Sequence, residues 1–183
     1  MGDIIILPGL GGSGEAHWQT AWERAHPEMR RFAPASWNKP ELRDWVRALD
    51  HAIGCCGTPP LLVAHSLACL LIAHWHRASD TRIAGAFLVA VPDPEGTGFP
   101  EDAAEFVEPP AAPFDFPALI VASSNDPYGT LDHARRRAVQ WGAGLVELGE
   151  LGHVNGSSGL GDWQTGLDLL AAFKAGCGFR RVS

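Results

Sequence analysis

Short apolar runs alternate with longer amphipathic stretches along the whole chain, and this alternation restricts the fold more than any other feature. Most of the apolar runs are rich in β-branched residues and are not interrupted by polar ones, which is typical of strands buried on both faces of a parallel sheet. Repeated strand–helix pairs predict an α/β protein with a doubly wound, mostly parallel sheet of about six strands between two layers of helices. The predicted strands are Asp3–Leu7, Arg30–Ala33, Leu61–Ala64, Ala84–Val91, Ala118–Ser123 and Leu145–Leu148, and the predicted helices lie near 15–25, 40–54, 66–79, 130–141 and 161–175.

Length and composition narrow the class of protein. A chain of 183 residues suits one domain over 1–183, and no apolar run approaches the roughly 20 residues that cross a bilayer. The N-terminus has no signal-peptide pattern, so we expect a cytoplasmic protein. The net charge of −7 argues against nucleic acid and anionic membranes as partners. The four cysteines lack zinc-site spacing, and we expect neither a metal nor an organic cofactor.

The segment 92–117 differs from the rest of the chain. It contains seven acids, seven prolines and no Lys or Arg. Ligands of doubly wound sheets bind at the carboxyl ends of the strands. We therefore expect this long connection to form an extended flap over that crevice. The segment is too short to be a separate cap domain.

The motif Ala64-His65-Ser66-Leu67-Ala68 joins the third predicted strand to an apolar helix. A serine in a tight turn between a strand and a helix is typical of a nucleophile elbow, where small flanking residues allow the strand and the helix to pass closely. Ser66 is therefore a candidate nucleophile. The alternative is an ordinary helix cap, because serine is also favoured at that position.

A serine nucleophile requires a base and an acid, which follow it in the order Ser, acid, His in such folds. His153 lies in a loop after the last predicted strand, whereas His133 lies in a helical stretch with charged neighbours, where we expect it to be solvated. Asp126 follows the fifth strand and precedes a proline, which keeps it extended. Asp132 is a weaker candidate because it lies within the next helix. The three positions predict a Ser66–His153–Asp126 triad at one sheet edge.

The first strand runs into the glycine-rich loop PGLGGSG at 8–14. Its glycines match the GxGxxG fingerprint of dinucleotide-binding proteins, so a nucleotide-dependent oxidoreductase is an alternative. The segment 33–37 lacks the acid that binds ribose in such proteins, and the chain has little room for a substrate domain. With a serine nucleophile, the same loop instead predicts an oxyanion hole formed by the N–H groups of Leu10 and Leu67, with Gly11 as the fallback donor.

Several segments together resemble the small α/β-hydrolases related to YdeN and retinoblastoma-binding protein nine. The segments are PGLGGSGEAHWQTAWE at 8–23, SWNKPELRDWV at 36–46, VAHSLA at 63–68, SSNDPYG at 123–129 and GHVNGSSGLGDW at 152–163. The resemblance implies an α/β-hydrolase fold without a cap domain, with a triad at Ser66, Asp126 and His153. Ala68 departs from the glycine that many hydrolases have there.

These features predict a serine hydrolase that cleaves carboxylic esters, or related acyl bonds, of a small-molecule substrate through an acyl-enzyme. One alternative uses the same triad as a peptidase or amidase for cationic substrates, since the acidic segment would attract positive charge. Another is a non-catalytic binding module that retains the hydrolase fold. Three tryptophans near strand ends, Trp18, Trp37 and Trp163, are predicted to line an aromatic substrate pocket, whereas Trp22, Trp45, Trp75 and Trp141 are predicted to be core residues.

Overall fold

A six-stranded, all-parallel sheet with strand order β2-β1-β3-β4-β5-β6 forms the centre of the computed structural model, which describes residues 3–178. The strands are β1 (Ile4–Leu7), β2 (Met29–Arg31), β3 (Leu61–His65), β4 (Gly85–Val89), β5 (Ala118–Ala122) and β6 (Gly144–Glu147). The predicted strands and helices are confirmed, with ends shifted by at most three residues. The strand with the weakest apolar pattern, β2, lies at an edge of the sheet.

In the described part of the chain, five α-helices cover the two faces of the sheet, which gives the predicted three-layer α/β/α arrangement. They are α1 (Trp18–Ala25), α2 (Leu42–Gly54), α3 (Leu67–Ala78), α4 (Leu131–Trp141) and α5 (Gln164–Gly178). Helices α2, α3 and α4 pack on one face and α1 and α5 on the other, so two apolar cores form. Within the part of the chain that the structure describes, no helix has the length and apolar character needed to span a membrane.

The strand order reverses at β1, and this reversal positions the site. Ile4 of β1 is in register with Met29 of β2 on one side and with Leu61 of β3 on the other. The connections that follow β1 and β3 therefore leave the sheet in different directions, which opens a crevice at their carboxyl ends. The glycine-rich loop after β1 and Ser66 after β3 border this crevice.

The segment 92–117 is not a free flap, which corrects part of the prediction. It contains a 3-10 helix over Glu101–Phe106, and the Phe106 side chain is fully buried in the core formed with α2 and α3. Only its first part, at Pro92 and Gly98–Pro100, borders the crevice. The reason is apolar burial. Packing of Phe106 and Phe116 into the core removes more apolar surface from water than an extended flap over the crevice would.

Three of the seven acids of this segment contact the rest of the protein. Asp93 lies 3.2 Å from His133, and Asp115 lies 3.1 Å from His76. The Glu105 carboxylate accepts a hydrogen bond from the first backbone N–H of α2 at 2.7 Å. None of the seven acids borders the crevice. These three acids therefore make tertiary contacts. Since none of the seven borders the crevice, the observation that motivated a cationic substrate is absent at the site.

Candidate active site

Ser66 occupies a sharp turn between the last residue of β3 and the first residue of α3. Its backbone has φ 54° and ψ −123°, a conformation that costs a non-glycine residue about 1–3 kcal/mol and is typical of functional sites. The Ser66 N–H donates to the Val89 carbonyl at 2.9 Å, and its carbonyl accepts from Cys69 N–H at 2.8 Å. The side chain makes no capping bond with α3. The helix-cap alternative for Ser66 is therefore wrong.

His153 joins Ser66 to Asp126 by hydrogen bonds. The Ser66 hydroxyl lies 2.8 Å from Nε2 of His153, and Nδ1 of His153 lies 2.8 Å from both carboxylate oxygens of Asp126. An ionised carboxylate only accepts, so the ring proton is on Nδ1 and Nε2 is free to accept the hydroxyl proton. The Tyr128 N–H also donates to Asp126 at 2.9 Å. His153 and Asp126 are both buried, so the structure brings together the three residues predicted to act jointly.

The loops that carry the acid and the base are bonded directly to each other. The Ser123 hydroxyl donates to Oδ1 of Asn125 at 2.9 Å and accepts from the Leu151 N–H at 2.9 Å. Oδ1 of Asn125 also accepts from the Gly152 N–H at 2.7 Å. The two bonds from the Leu151 and Gly152 N–H groups hold the turn before His153 against the turn after β5, and the bond between Ser123 and Asn125 fixes their acceptors.

Two backbone N–H groups of the residues next to Gly9 and Ser66 are unused in the described part of the chain. Within residues 3–178, the N–H groups of Leu10 and Leu67 have no hydrogen-bond partner. A Cβ added at Gly9 would lie 3.0 Å from the Ser66 Cβ, so the glycine lets the loop approach the elbow. The fallback donor Gly11 is wrong, because its N–H donates to the Trp37 carbonyl at 3.0 Å.

The partly buried Arg31 and the buried Gln19 hold the glycine-rich loop in place. Arg31 donates from Nη1 to the Gly12 carbonyl at 2.6 Å. The Gln19 amide donates to the carbonyls of Leu7 and Val63, each at 3.2 Å, and so bridges the ends of β1 and β3. Because these donors and acceptors are satisfied, the loop is preorganised before any substrate binds.

A cavity of about 680 Å³ lies above Ser66. Its apolar wall is formed by Leu10, Leu67, Pro92, Phe99, Pro100 and Tyr128, and its polar wall includes Ser13, Glu15, His17, Asn155 and Ser157. A volume of this size is typical of small-molecule sites. Among residues 3–178, no group of three or more His, Cys, Asp or Glu side chains is arranged to hold a metal ion.

The predicted tryptophan pocket is wrong, because none of the three side chains borders the cavity. Trp18 and Trp163 are buried in the core on the α1/α5 face, and Trp18 donates to the Val154 carbonyl at 2.7 Å. Trp37 covers Gly12 from outside, where a Cβ would lie 2.7 Å from its ring. A large aromatic ring buries more apolar surface between the sheet and a helix layer than at the wall of an open cavity, so packing there is more favourable. The other four tryptophans are core residues, as predicted.

His133 is buried rather than solvated, which corrects the prediction from its charged neighbours. Its side chain is about 4% exposed, and Nδ1 lies 3.2 Å from Asp93. Burial lowers the pKa of His133 despite the nearby carboxylate. It joins α4 to the segment 92–117, away from the triad.

Sequence reasoning missed two histidines beside the triad. Nε2 of His65 donates to the His153 carbonyl at 2.9 Å, and the His17 ring lies 4.6 Å from that of His65. Burial lowers the pKa of His65 well below its usual range. Burial, with Arg31 and His153 nearby, lowers the pKa of His17 to about 4. The position of His65 directly before the nucleophile was an available signal, whereas nothing local indicated His17.

Comparison with known proteins agrees with this geometry. The family model described as "Serine hydrolase" matches residues 4–172. A YdeN-like hydrolase from Pectobacterium atrosepticum is 33% identical, with a TM-score of 0.85 over 96% of this chain and 91% of that one. The YdeN product of B. subtilis is 20% identical, with a TM-score of 0.78 over 96% and 100% of the two chains.

A more distant likeness concerns the fold alone. Est1E from Butyrivibrio proteoclasticus, with ferulic acid bound, is 13% identical and has a TM-score of 0.68 over 96% of this chain and 90% of that one. A search of curated proteins finds no match. The family model covers most of the chain and coincides with the part that carries the elbow, the acid and the base. The chain therefore belongs to the serine hydrolase family.

Proposed function

We propose that this serine hydrolase cleaves carboxylic esters of small molecules through an acyl-enzyme formed on Ser66. The observation that carries the proposal is the unbroken line of hydrogen bonds from the Ser66 hydroxyl through His153 to Asp126, with each distance at 2.8 Å. This order of groups provides a nucleophile, a base and a carboxylate that orients the base.

In the first half-reaction, the Ser66 oxygen attacks the ester carbonyl carbon while its proton passes to Nε2 of His153. Asp126 stabilises the imidazolium and keeps its proton on Nδ1. The N–H groups of Leu10 and Leu67 donate to the oxyanion of the tetrahedral intermediate. Collapse of the intermediate breaks the bond to the alkoxide, which leaves as an alcohol with the proton from His153.

In the second half-reaction, water attacks the acyl-enzyme. Nε2 of His153 takes a proton from the water and returns it to Ser66 as the carbonyl–Ser66 bond breaks. The products are a carboxylic acid and the free enzyme. The apolar wall at Leu10, Phe99 and Tyr128 favours neutral apolar substituents on the ester. The peptidase alternative for cationic substrates loses its support, because the acids of 92–117 do not border this cavity.

Labelling with a fluorophosphonate probe tests the proposal directly. Wild-type protein should be labelled and should hydrolyse p-nitrophenyl esters. The Ser66→Ala variant should lose labelling and about 10³- to 10⁶-fold in kcat. Ser157→Ala is the matched control, since Ser157 borders the same cavity without contacting His153. Folded wild-type protein that takes no label would favour a non-catalytic binding module.

A further inference from the structure

The His17 side chain borders the cavity, is buried, and has no part in the mechanism above. It is only 5% exposed and lies directly before α1. Its Nδ1 accepts a hydrogen bond from the Gln19 N–H at 3.2 Å. A neutral imidazole that accepts at Nδ1 carries its proton on Nε2. His17 therefore presents a single N–H donor on the ring edge opposite to the helix.

That donor is not used by residues 3–178. Nε2 of His17 is buried, and no group in the described part of the chain makes a hydrogen bond with it. Buried donors in native proteins are nearly always paired, so an unpaired one requires an explanation. Two other polar groups on the same wall are occupied, since the Ser13 hydroxyl donates to Gln19 at 2.7 Å and Oδ1 of Asn155 accepts from Ser157 N–H at 3.0 Å.

The surroundings of His17 keep the ring neutral. Burial and the guanidinium of Arg31 both disfavour a second proton on the ring, and its pKa is about 4. The neighbouring ring of His65 lies 4.6 Å away and is itself buried. An anionic group at Nε2 would lose its hydration, and one hydrogen bond from a neutral donor does not compensate for that free-energy cost. An uncharged oxygen has much less hydration to lose.

We propose that Nε2–H of His17 binds an uncharged oxygen acceptor of the substrate, so that the preferred esters carry an ether, hydroxyl or ketone oxygen besides the reactive ester group. This inference rests on the proposed function and makes His17 a specificity-determining residue. Sites that hydrogen-bond a substrate group discriminate against analogues lacking it, because the protein group is then left unpaired. We expect a preference of about tenfold or more in kcat/KM.

The test uses p-nitrophenyl hexanoate and a series of isosteres in which one chain methylene at a time is replaced by an ether oxygen. Each kcat/KM is divided by the alkaline hydrolysis rate of the same ester, which removes differences in intrinsic reactivity. Wild-type protein should prefer one ether ester over hexanoate by about tenfold. No preference for any member of the series would overturn the inference.

Two variants of His17 separate its two nitrogens. His17→Asn keeps an acceptor for the Gln19 N–H, since Asn is a good helix cap, but its side chain is too short to replace Nε2. The ratio of ether ester to hexanoate should fall to about one in this variant. His17→Gln extends an amide N–H toward the position of Nε2 and should restore part of the ratio. An unchanged ratio in His17→Asn contradicts the inference.

A binding measurement distinguishes failure of this inference from failure of the proposed function. In Ser66→Ala, the Nε2 proton resonance of His17 should shift when the preferred ether ester is added and should not shift with hexanoate. If the fluorophosphonate fails to label Ser66 but this shift occurs, only the proposed function fails. If Ser66 is labelled and neither the shift nor the substrate preference occurs, only the role of His17 fails. Circular dichroism of each variant verifies that it is folded.

Discussion

The glycine-rich loop at 8–14 and the acidic segment at 92–117 both border the cavity, but they are held in place by different forces. Polar groups hold the loop: Arg31 bonds its carbonyls, and Gln19 bridges the strand ends beneath it. Apolar side chains hold most of the segment, chiefly Phe106 in the core and the stacked rings of Phe114 and Phe116, and the contacts of Asp93 and Asp115 with histidines add to them.

This difference follows from what each region supplies to the site. In the proposed mechanism the loop supplies the Leu10 N–H, whose direction must be fixed to within the tolerance of a hydrogen bond, and directional bonds are suited to fixing it. The segment presents an apolar wall at Phe99 and Pro100, which needs only to occupy space. Non-directional burial is sufficient for that purpose.

Removal of the apolar anchor should cause the largest change in stability. Phe106→Ala should lower the free energy of unfolding by about 3–5 kcal/mol, as large-to-small substitutions of buried aromatics do. Urea denaturation measures the change. Val107→Ala is the control, because this neighbouring side chain is 41% exposed, and it should cost less than about 0.5 kcal/mol. Equal losses in the two variants would contradict the anchoring role of Phe106.

Displacement of the loop should affect catalysis more than stability. In Gly9→Ala, the new Cβ would lie 3.0 Å from the His65 carbonyl oxygen and 3.0 Å from the Ser66 Cβ, so the loop must move away from the elbow. We expect kcat to fall about 100-fold, the cost of losing one oxyanion donor. Gly14→Ala is the matched control within the loop, since its Cβ meets nothing within 4 Å. If both variants lose activity equally, close approach at Gly9 is not the cause.

Acid should destabilise the polar region through His17. Its pKa is about 4 in the folded protein, against an ordinary value of 6.5 for a solvated histidine, so the unfolded chain binds more protons between these pH values. The contribution of neutral His17 to the free energy of unfolding is therefore fully present above pH 6.5 and is lost as the pH falls toward 4. Between about pH 7 and about pH 5, His17 should account for roughly 2 kcal/mol of lost stability.

Urea denaturation of wild type and His17→Asn at both pH values isolates this contribution, because Asn does not titrate. The loss of stability between about pH 7 and about pH 5 should be smaller in His17→Asn than in wild type by roughly 2 kcal/mol. Identical pH dependence in the two proteins would show that His17 is not held neutral by burial.

Removal of the Arg31 guanidinium, which bonds to the glycine-rich loop, should have the smallest effect of the four changes. Arg31→Met removes the bonds to the Gly12 carbonyl and the ion pair with Glu23, while Gln19 still holds the strand ends. We expect about a tenfold loss in kcat, equivalent to one charge-assisted hydrogen bond. Arg24→Met removes an exposed ion pair nearby and should change kcat by less than about twofold, since such pairs contribute little (about 0–1 kcal/mol).

The strands and the three triad positions were predictable because their signals are local. Buried parallel strands have unbroken apolar runs, and Ser66, Asp126 and His153 each follow such a run at a strand end. Parallel topology then brings separate strand ends to one edge without any knowledge of packing. The role of Leu10 and Leu67 as oxyanion donors follows from the same reasoning and stays a prediction.

The errors concern residues whose environment is set by distant partners. Gly11 is excluded as a donor only because Trp37, which is 26 residues away in sequence, accepts its N–H. His133 has charged neighbours along its helix but is buried by the segment that contains Asp93. Trp18 and Trp163 lie near strand ends, yet they contact each other between layers with ring centroids 4.9 Å apart. Such outcomes depend on tertiary packing, which local patterns do not encode.

The bonds from Ser123 and Asn125 to the backbone before His153 have a consequence for motion at the site. They make the imidazole and the Asp126 carboxylate parts of one rigid unit, although 27 residues separate them along the chain. Ser66 belongs to a different unit, the β3–α3 turn. Any widening of the crevice should therefore stretch the contact between hydroxyl and imidazole and leave that between imidazole and carboxylate unchanged.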